Sequence, residues 1–375
     1  MNEFEFIRNL REQTRSRHHS ARLIAGIGDD ASVITQTASR DLIVTTDLLV
    51  EGVDFNCDAT SPWALGHKAL AVSLSDIAAM GARPLWSLLS LGMPTETWRD
   101  NFKDEFTAGY LALADEYGVT LAGGDVSETK AGIVIDSIVI GEVVSGAAVL
   151  RSGARPGDQI FVTGTLGGAA AGLKLIEMGA RVSRQESVGS KQESVPPAVA
   201  GGSEVSSHEP GRSPQARAER SEEDAIQTLL LRQLSPQPRV GWGIVLGEER
   251  LAKAMIDISD GLSSDLAHLC RESNVGALIQ SGSIPSDPDV IGLCGRRALD
   301  PLALALHGGE DFELLLTVHP ENIARLPKRV DGVAISRVGE ITADAGSIKI
   351  EEKGRVWELE PQGFEHFKAD EGNRQ

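Results

Sequence analysis

The sequence predicts a mixed α+β and α/β protein of two domains, and three observations carry that expectation. The chain has 375 residues with 41% apolar content, enough for two ordinary hydrophobic cores. Apolar runs that read as hairpin-like strand pairs alternate with helix-like stretches, which favours α+β layers over a strict parallel βαβ array. A stretch rich in turn residues near 149–158 separates an N-terminal part, 1–148, from a C-terminal part, 149–375.

Asp-Leu-Ile-Val-Thr-Thr-Asp at 41–47 predicts a buried strand ending at a polar turn. A helix over 62–80 follows, with Pro62 near its start and Gly81 just past its end. Leu65, Leu70, Val72, Leu74, Ile77 and Met80 cover nearly every face of it, so it is expected to be buried. Strands near 85–92, 119–122 and 133–144 and a helix at 97–117 complete the first half. The second half opens with a strand at 159–163, a Gly-rich turn and a helix over 167–179. Residues 181–222 contain no Leu, Ile, Phe, Trp or Tyr, and Gln-Glu-Ser-Val occurs twice, at 185–188 and 192–195. Such a segment cannot bury enough surface to order itself and is expected to be a disordered surface insertion. Helix 223–233, closed by Pro236 and Pro238, strand 254–258, helix 262–273 and a strand near 312–318 resume the pattern.

The formal charge of −18 argues against nucleic acid or an anionic membrane as a partner. No run of 18 apolar residues and no apolar signal core is present, and Cys57, Cys270 and Cys294 lack metal-ligand or redox spacing. The expectation is a cytoplasmic protein with reduced thiols.

Acidic motifs recur at predicted element ends: Gly-Ile-Gly-Asp-Asp at 26–30, Thr-Thr-Asp at 45–47, Gly-Gly-Asp at 123–125, Asp-Ile-Ser-Asp at 257–260 and Gly-Gly-Glu-Asp at 308–311. Asp76 sits inside the apolar helix. Gathered carboxylates are costly unless a cation joins them, and oxygen ligands of this kind suit hard divalent cations, Mg²⁺ above all. Each motif also has a plainer reading. The first fits a tight turn with solvated acids, and no convincing helix follows it to support a dinucleotide fold. Asp76 could pair with Lys68, eight residues back. Gly123-Gly124 could form a hairpin turn or bring backbone amides to a phosphate. Asp260 could cap the following helix, although Asp257 then needs another explanation. Gly164-Thr-Leu-Gly-Gly168 could hold an anion at a helix N-terminus or serve close packing. No Walker-type P-loop occurs. The motifs are specific only in combination and order.

In that combination the chain resembles thiamine-monophosphate kinase, within the aminoimidazole-ribonucleotide-synthetase-like superfamily. The carrying stretches are GIGDDASV, TTDLLVEGVDF, LGHKALAVSLSDIAAMGARP, LAGGDVSE, RSGARPGD, VTGTLGG, IDISDGLSSDLAHL, GGEDFELL and GFEHF, between about residues 21 and 367. The resemblance implies an N-terminal α/β domain that dimerises through its strands, a C-terminal α/β domain, and ATP between them. It implies Mg²⁺ ligation by Asp30, Thr45, Thr46, Asp47, Asp76, Asp125 and Asp257, with Asp260 as a further ligand. Gly124, Asp125, Arg151 and Ser259 would serve ATP, and Asp47, Asp125 and Asp257 would be the carboxylates central to catalysis. Asp54, Glu310 and Phe364 would face thiamine monophosphate. Asp54 stands where the family usually has His, and Phe312 where it usually has Tyr. The implied reaction moves the γ-phosphoryl of ATP onto a phosphate oxygen that is already ionised, so no general base and no phospho-enzyme are expected. A purine-pathway synthetase of the same superfamily and a non-catalytic nucleotide-binding relative are the alternatives. The reactive cysteines of two further relatives, selenophosphate synthetase and the hydrogenase-maturation dehydratase, have no counterpart before Cys57 or after Cys294.

Overall fold

The computed structural model describes residues 39–182, 221–297 and 299–363, with short pieces at 9, 12–14, 23–25 and 33–34. The 26–30 motif with Asp30, nearly all of the 181–222 stretch, and Phe364 lie outside the described residues.

The first half contains β1 (Arg40–Val50), α1 (Pro62–Ala79), β2 (Arg83–Met93), α2 (Phe102–Tyr117), β3 (Thr120–Glu128) and β4 (Val134–Val144). Its four strands form one sheet in the order β1-β4-β2-β3, antiparallel except for the parallel β2/β3 pair. The register sets Asp47 opposite Ser137 and Leu48 opposite Asp136. Strand alternation therefore sends Thr45, Asp47 and Leu49 to the face that carries α1. Leu42, Val44, Thr46 and Leu48 go to the other face, where the three apolar side chains are exposed.

Helix α1 starts where Ser61 Oγ accepts the Ala64 N–H at 3.2 Å, with Pro62 in the first turn. It stops at Gly81, whose φ of +70° suits glycine. Its apolar residues cover every face because it is enclosed on every side. A Cβ on Gly66 would lie 1.9 Å from the carbonyl oxygen of Phe106, and one on Gly109 would lie 1.9 Å from that of Trp63, so α1 and α2 cross backbone to backbone.

The second half comprises β5 (Gln159–Thr163), α3 (Gly168–Glu177), α4 (Glu222–Leu234), α5 (Val240–Glu248), β6 (Ala252–Asp257), α6 (Leu262–Ser273), β7 (Gly276–Gln280), α7 (Pro288–Arg297), α8 (Pro301–His307), β8 (Leu314–Val318), β9 (Val333–Thr342), β10 (Ile348–Glu352) and β11 (Arg355–Glu358). The strands run in the order β11-β10-β7-β9-β5-β8-β6, with Arg329–Val330 added beside β9. Only β7/β10 is parallel. One core cluster crosses between the halves, packing Leu74, Ile77 and Ile135 with Trp242, Leu246, Met255 and Leu314. A second lies under α6, with Ile160, Ile256, Leu266 and Ile279, and a third joins α3, α4 and α7. The mixed α/β architecture expected from the sequence is present.

Three expectations need correction. The strand expected to be buried over 41–47 and to end at a turn runs on to Val50, so Asp47 lies inside it, and one of its faces is exposed. The helix predicted over 97–117 is two helices, Thr95–Arg99 and α2, separated where Asp100 is extended. Gly123-Gly124 is no hairpin turn: both lie within β3, and a Cβ on Gly124 would sit 1.9 Å from the Leu89 carbonyl oxygen in β2. Strand-to-strand packing thus accounts for that glycine. Among the described residues, no helix is long and apolar enough to cross a membrane.

Candidate active site

Three buried or half-buried carboxylates meet where the halves join: Asp47 within β1, Asp76 in the last turn of α1 and Asp257 at the end of β6. Each is met by a hydroxyl. Ser73 Oγ donates to Asp47 at 2.7 Å, Thr45 Oγ1 to Asp76 at 2.5 Å, and Ser75 Oγ to Asp257 at 2.7 Å. Burial, followed by the charge of Asp76, pushes Asp47 and Asp257 up to about 7. Burial also raises Asp76, opposed by the Thr45 hydroxyl and by Arg151, the cation that faces both Asp76 and Asp257. Behind them Asp265 accepts the N–H groups of Asp260 and Gly261 at 3.2 and 3.1 Å. Burial and the charges of Asp257 and Asp260 push it up to about 8.

A cleft of about 740 Å³ opens beside this group. Its polar walls include Asp47, Asp54, Ser259, Asp260 and Glu310, and Leu173, Leu299, Leu304 and Phe312 supply apolar surface. The 308–313 loop is held against the end of β6 by backbone bonds: Glu310 N–H to Ser259 O at 2.8 Å, Phe312 N–H to Ile258 O at 2.9 Å and Ile258 N–H to Glu313 O at 2.7 Å. Glu310 and Phe312 take φ of +63° and +49° to achieve this. Two non-glycine residues in that region within three positions indicate local strain at the cleft wall.

The acids of this loop face three different partners. Glu310 pairs with Lys68 at 2.7 Å and accepts from Gln233. Asp311 accepts the N–H groups of Gly167 and Ala169 at 2.7 and 3.0 Å. Glu313, fully buried, takes a two-pronged bond from Arg239 at 2.6 and 2.5 Å and a third from Thr163 at 2.8 Å. Two readings of the sequence change accordingly. Lys68 serves Glu310, while Asp76 is held by Thr45. The N-terminus of α3, considered as an anion site, is already taken by a carboxyl of the chain itself, that of Asp311, which burial pushes up to about 7.

The remaining candidates fall as follows. Ser259 and Asp260 line the cleft, but Asp260 is not the cap of α6, since Gly261 occupies that position without a side-chain bond. Asp54 also lines the cleft while its Oδ2 accepts the Val50 N–H at 2.8 Å. Thr46 is parted from Thr45 and Asp47 by the alternation of β1, and its hydroxyl donates to Asp136 at 2.6 Å on the outer face. Gly124 and Asp125 are exposed in β3, and the register Leu48–Asp136–Ser90–Asp125 puts Asp125 on the same outer face. Ser73, Ser75, Asp136, Gln233, Arg239 and Asp265 were not anticipated from the sequence. Only Ser73 and Ser75 carried a local signal, as hydroxyls one and three residues before Asp76 in an apolar helix.

Among the described residues, no three acidic, His or Cys side chains stand ready as a metal-ligand group. The donor chemistry nonetheless fits a hard divalent cation: oxygen-only, anionic, enclosed and mutually repelling at neutral pH. Such a cation would lower the very pKa values that burial and repulsion raise.

Residues 28–143 match the family described as AIR synthase related protein, N-terminal domain. The thiamine-monophosphate kinase of Salmonella typhimurium is 33% identical over 371 residues, covering 97% of this chain and 98% of the relative. The crystal structure of thiamine-monophosphate kinase from Stenotrophomonas maltophilia K279a aligns with a TM-score of 0.73 at 32% identity, over 95% of this chain and 98% of that one. A structure described as AaThiL complexed with AMPPCP and TMP aligns with a TM-score of 0.70 at 29% identity, over 97% of each chain. At 33% identity over almost the whole length of a relative, and with the fold matched over 95% of its length, the chain belongs to the thiamine-monophosphate kinase family.

Proposed function

We propose that this protein is an ATP-dependent kinase that transfers the γ-phosphoryl group to the phosphate of thiamine monophosphate, yielding thiamine diphosphate and ADP by direct in-line displacement. The observation that carries this reading is the meeting of Asp47, Asp76 and Asp257, drawn from both halves, beside a cleft with polar and apolar walls. The relative solved with AMPPCP and TMP supports the same pair of ligands.

Asp30, Thr45, Thr46, Asp47, Asp76, Asp125, Asp257 and Asp260 would hold Mg²⁺, which supplies charge neutralisation between two phosphates that otherwise repel. Gly124, Arg151 and Ser259 would contact the nucleotide, Arg151 by donating to phosphate oxygens. Asp54, Glu310 and Phe364 would face the acceptor. Its phosphate oxygen has a second pKa of about 6 and is largely ionised at neutral pH, so alignment replaces proton abstraction. The reading includes a division at 148/149, a cytoplasmic setting and a homodimer joined through the exposed apolar face of the first sheet.

The test is ADP release from ATP and Mg²⁺ with and without thiamine monophosphate. Release that depends on the acceptor supports the reading, and acceptor-independent or absent release overturns it. Retention of labelled phosphate on the protein would refute direct transfer.

A further inference from the structure

Both carboxylate oxygens of Glu310 are engaged. Oε1 pairs with Lys68 Nζ from α1, at 2.7 Å, and Oε2 accepts from Gln233 Nε2 on α4. A carboxylate beside an ammonium group only accepts, so the amide of Gln233 must turn its NH₂ toward Glu310 and its carbonyl away. That carbonyl oxygen is shielded from solvent and has no hydrogen-bond partner among the described residues. Gln233 is itself 5% exposed and lines the same cleft as Glu310. A buried acceptor without a donor is costly, so a ligand N–H that reaches it is favoured over a second acceptor.

The surroundings narrow the ligand. Leu299, Leu304 and Phe312 give the cleft apolar surface suited to a flat ring. On the reading of the acceptor as thiamine monophosphate, on which this inference rests, the N–H donor on that molecule is the exocyclic amine of its aminopyrimidine. We propose that Gln233, oriented by Glu310 and Lys68, is a specificity-determining residue that accepts a hydrogen bond from this amine. Lys68 is then a positioning residue: it holds Glu310 through Oε1, which leaves Oε2 to the Gln233 amide and so keeps the Gln233 carbonyl presented.

The experiment compares kcat/KM for thiamine monophosphate and for oxythiamine monophosphate, in which an oxo group replaces the amine. The wild-type protein should prefer the amine by about 10-fold or more. Gln233→Met should bring the two substrates within ~3-fold by raising KM for thiamine monophosphate while KM for ATP stays put. Lys68→Met should weaken the preference in the same direction and Lys68→Arg should retain it. If Gln233→Met does not fold, the Lys68 pair decides. A wild-type preference ratio in Gln233→Met or Lys68→Met, or equal loss toward ATP and acceptor, overturns the inference alone. Absence of acceptor-dependent turnover in the wild-type protein removes the proposed function, and this inference with it.

Discussion

Asp47 and Asp125 separate two kinds of acidic residue that look alike in sequence. Asp47 faces α1, is bonded by Ser73 and shares its surroundings with Asp76, whereas Asp125 is exposed on the opposite face of the sheet. Asp47→Asn and Asp125→Asn should each lower turnover by ~100-fold or more if both hold cations on phosphate. Only Asp47→Asn should raise the melting temperature in EDTA at pH 8, because it removes a charge from a confined, repelling group. Calorimetric scans beside the ADP assay check this. The pH dependence has a definite sign. Asp257 has a folded pKa of about 7 against an ordinary 3.8, so the native state binds the extra proton between those values. Its contribution to stability is full below about pH 4 and is lost as pH rises through 7. In EDTA, urea unfolding of the wild-type protein should therefore lose stability relative to Asp257→Asn between pH 5 and pH 8, by on the order of 1 kcal/mol or more. Mg²⁺ should abolish the difference. An unchanged gap across that range would show that the carboxylate is not confined as described.

Helix α1 shows why some elements are legible in sequence and others are not. Its unbroken apolar run marks a buried helix because burial on all faces and hydrophobicity on all faces are the same fact. Helix α5 escapes such reading: Val-Gly-Trp-Gly-Ile-Val-Leu-Gly-Glu carries three glycines, which lower helix propensity. Two of them are explained only in three dimensions, since a Cβ on Gly243 would lie 2.3 Å from the Ala78 carbonyl oxygen, and one on Gly247 would lie 2.3 Å from that of Gly81. Strand β9 is similarly obscured by a register shift between Arg337 and Gly339, which breaks its alternation. The site divides the same way. Its carboxylates stand out against the apolar runs that hold them and could be picked out, but the Lys68–Glu310–Gln233 and Arg239–Glu313 pairings join residues 74 to 242 positions apart and leave no local trace. The α1/α2 crossing gives the test at this scale. Gly109→Ala should destabilise the protein by ~1–3 kcal/mol, because its methyl group meets a backbone carbonyl rather than a side chain that can turn aside. Exposed Gly118→Ala is no control, since its φ of +66° adds strain of its own. Ala108→Gly, at an exposed position of the same helix, should cost nearer 1 kcal/mol through propensity alone.

At the scale of the whole molecule, the first sheet has one face under α1 and another on which, among the described residues, apolar side chains are exposed. Val44 and Leu48 are 63% and 60% exposed, Leu42 and Val144 are exposed beside them, and Ile138 and Ile140 of β4 are half-buried on the same side. A contiguous apolar sheet face is uncommon on a monomer, and two copies of the sheet packed together would remove it from water. Thr46 and Asp125, both proposed to hold Mg²⁺, lie on that same face with Asp136, so a dimer formed there would involve part of the proposed cation site. Assembly and activity should therefore fall together. Val44→Glu places a charge in the middle of the face without touching any core residue, so the monomer should remain folded. Light scattering after size-exclusion chromatography should show a dimer for the wild-type protein and a monomer for Val44→Glu, with turnover reduced at least ~10-fold and a far-UV spectrum unchanged. Raising protein concentration should recover both dimer and turnover along one curve. A fully active monomer would separate the outer-face residues from catalysis, and Thr46 and Asp125 would then lose their place in the proposed cation site, leaving Asp47, Asp76 and Asp257 on the inner face to act alone.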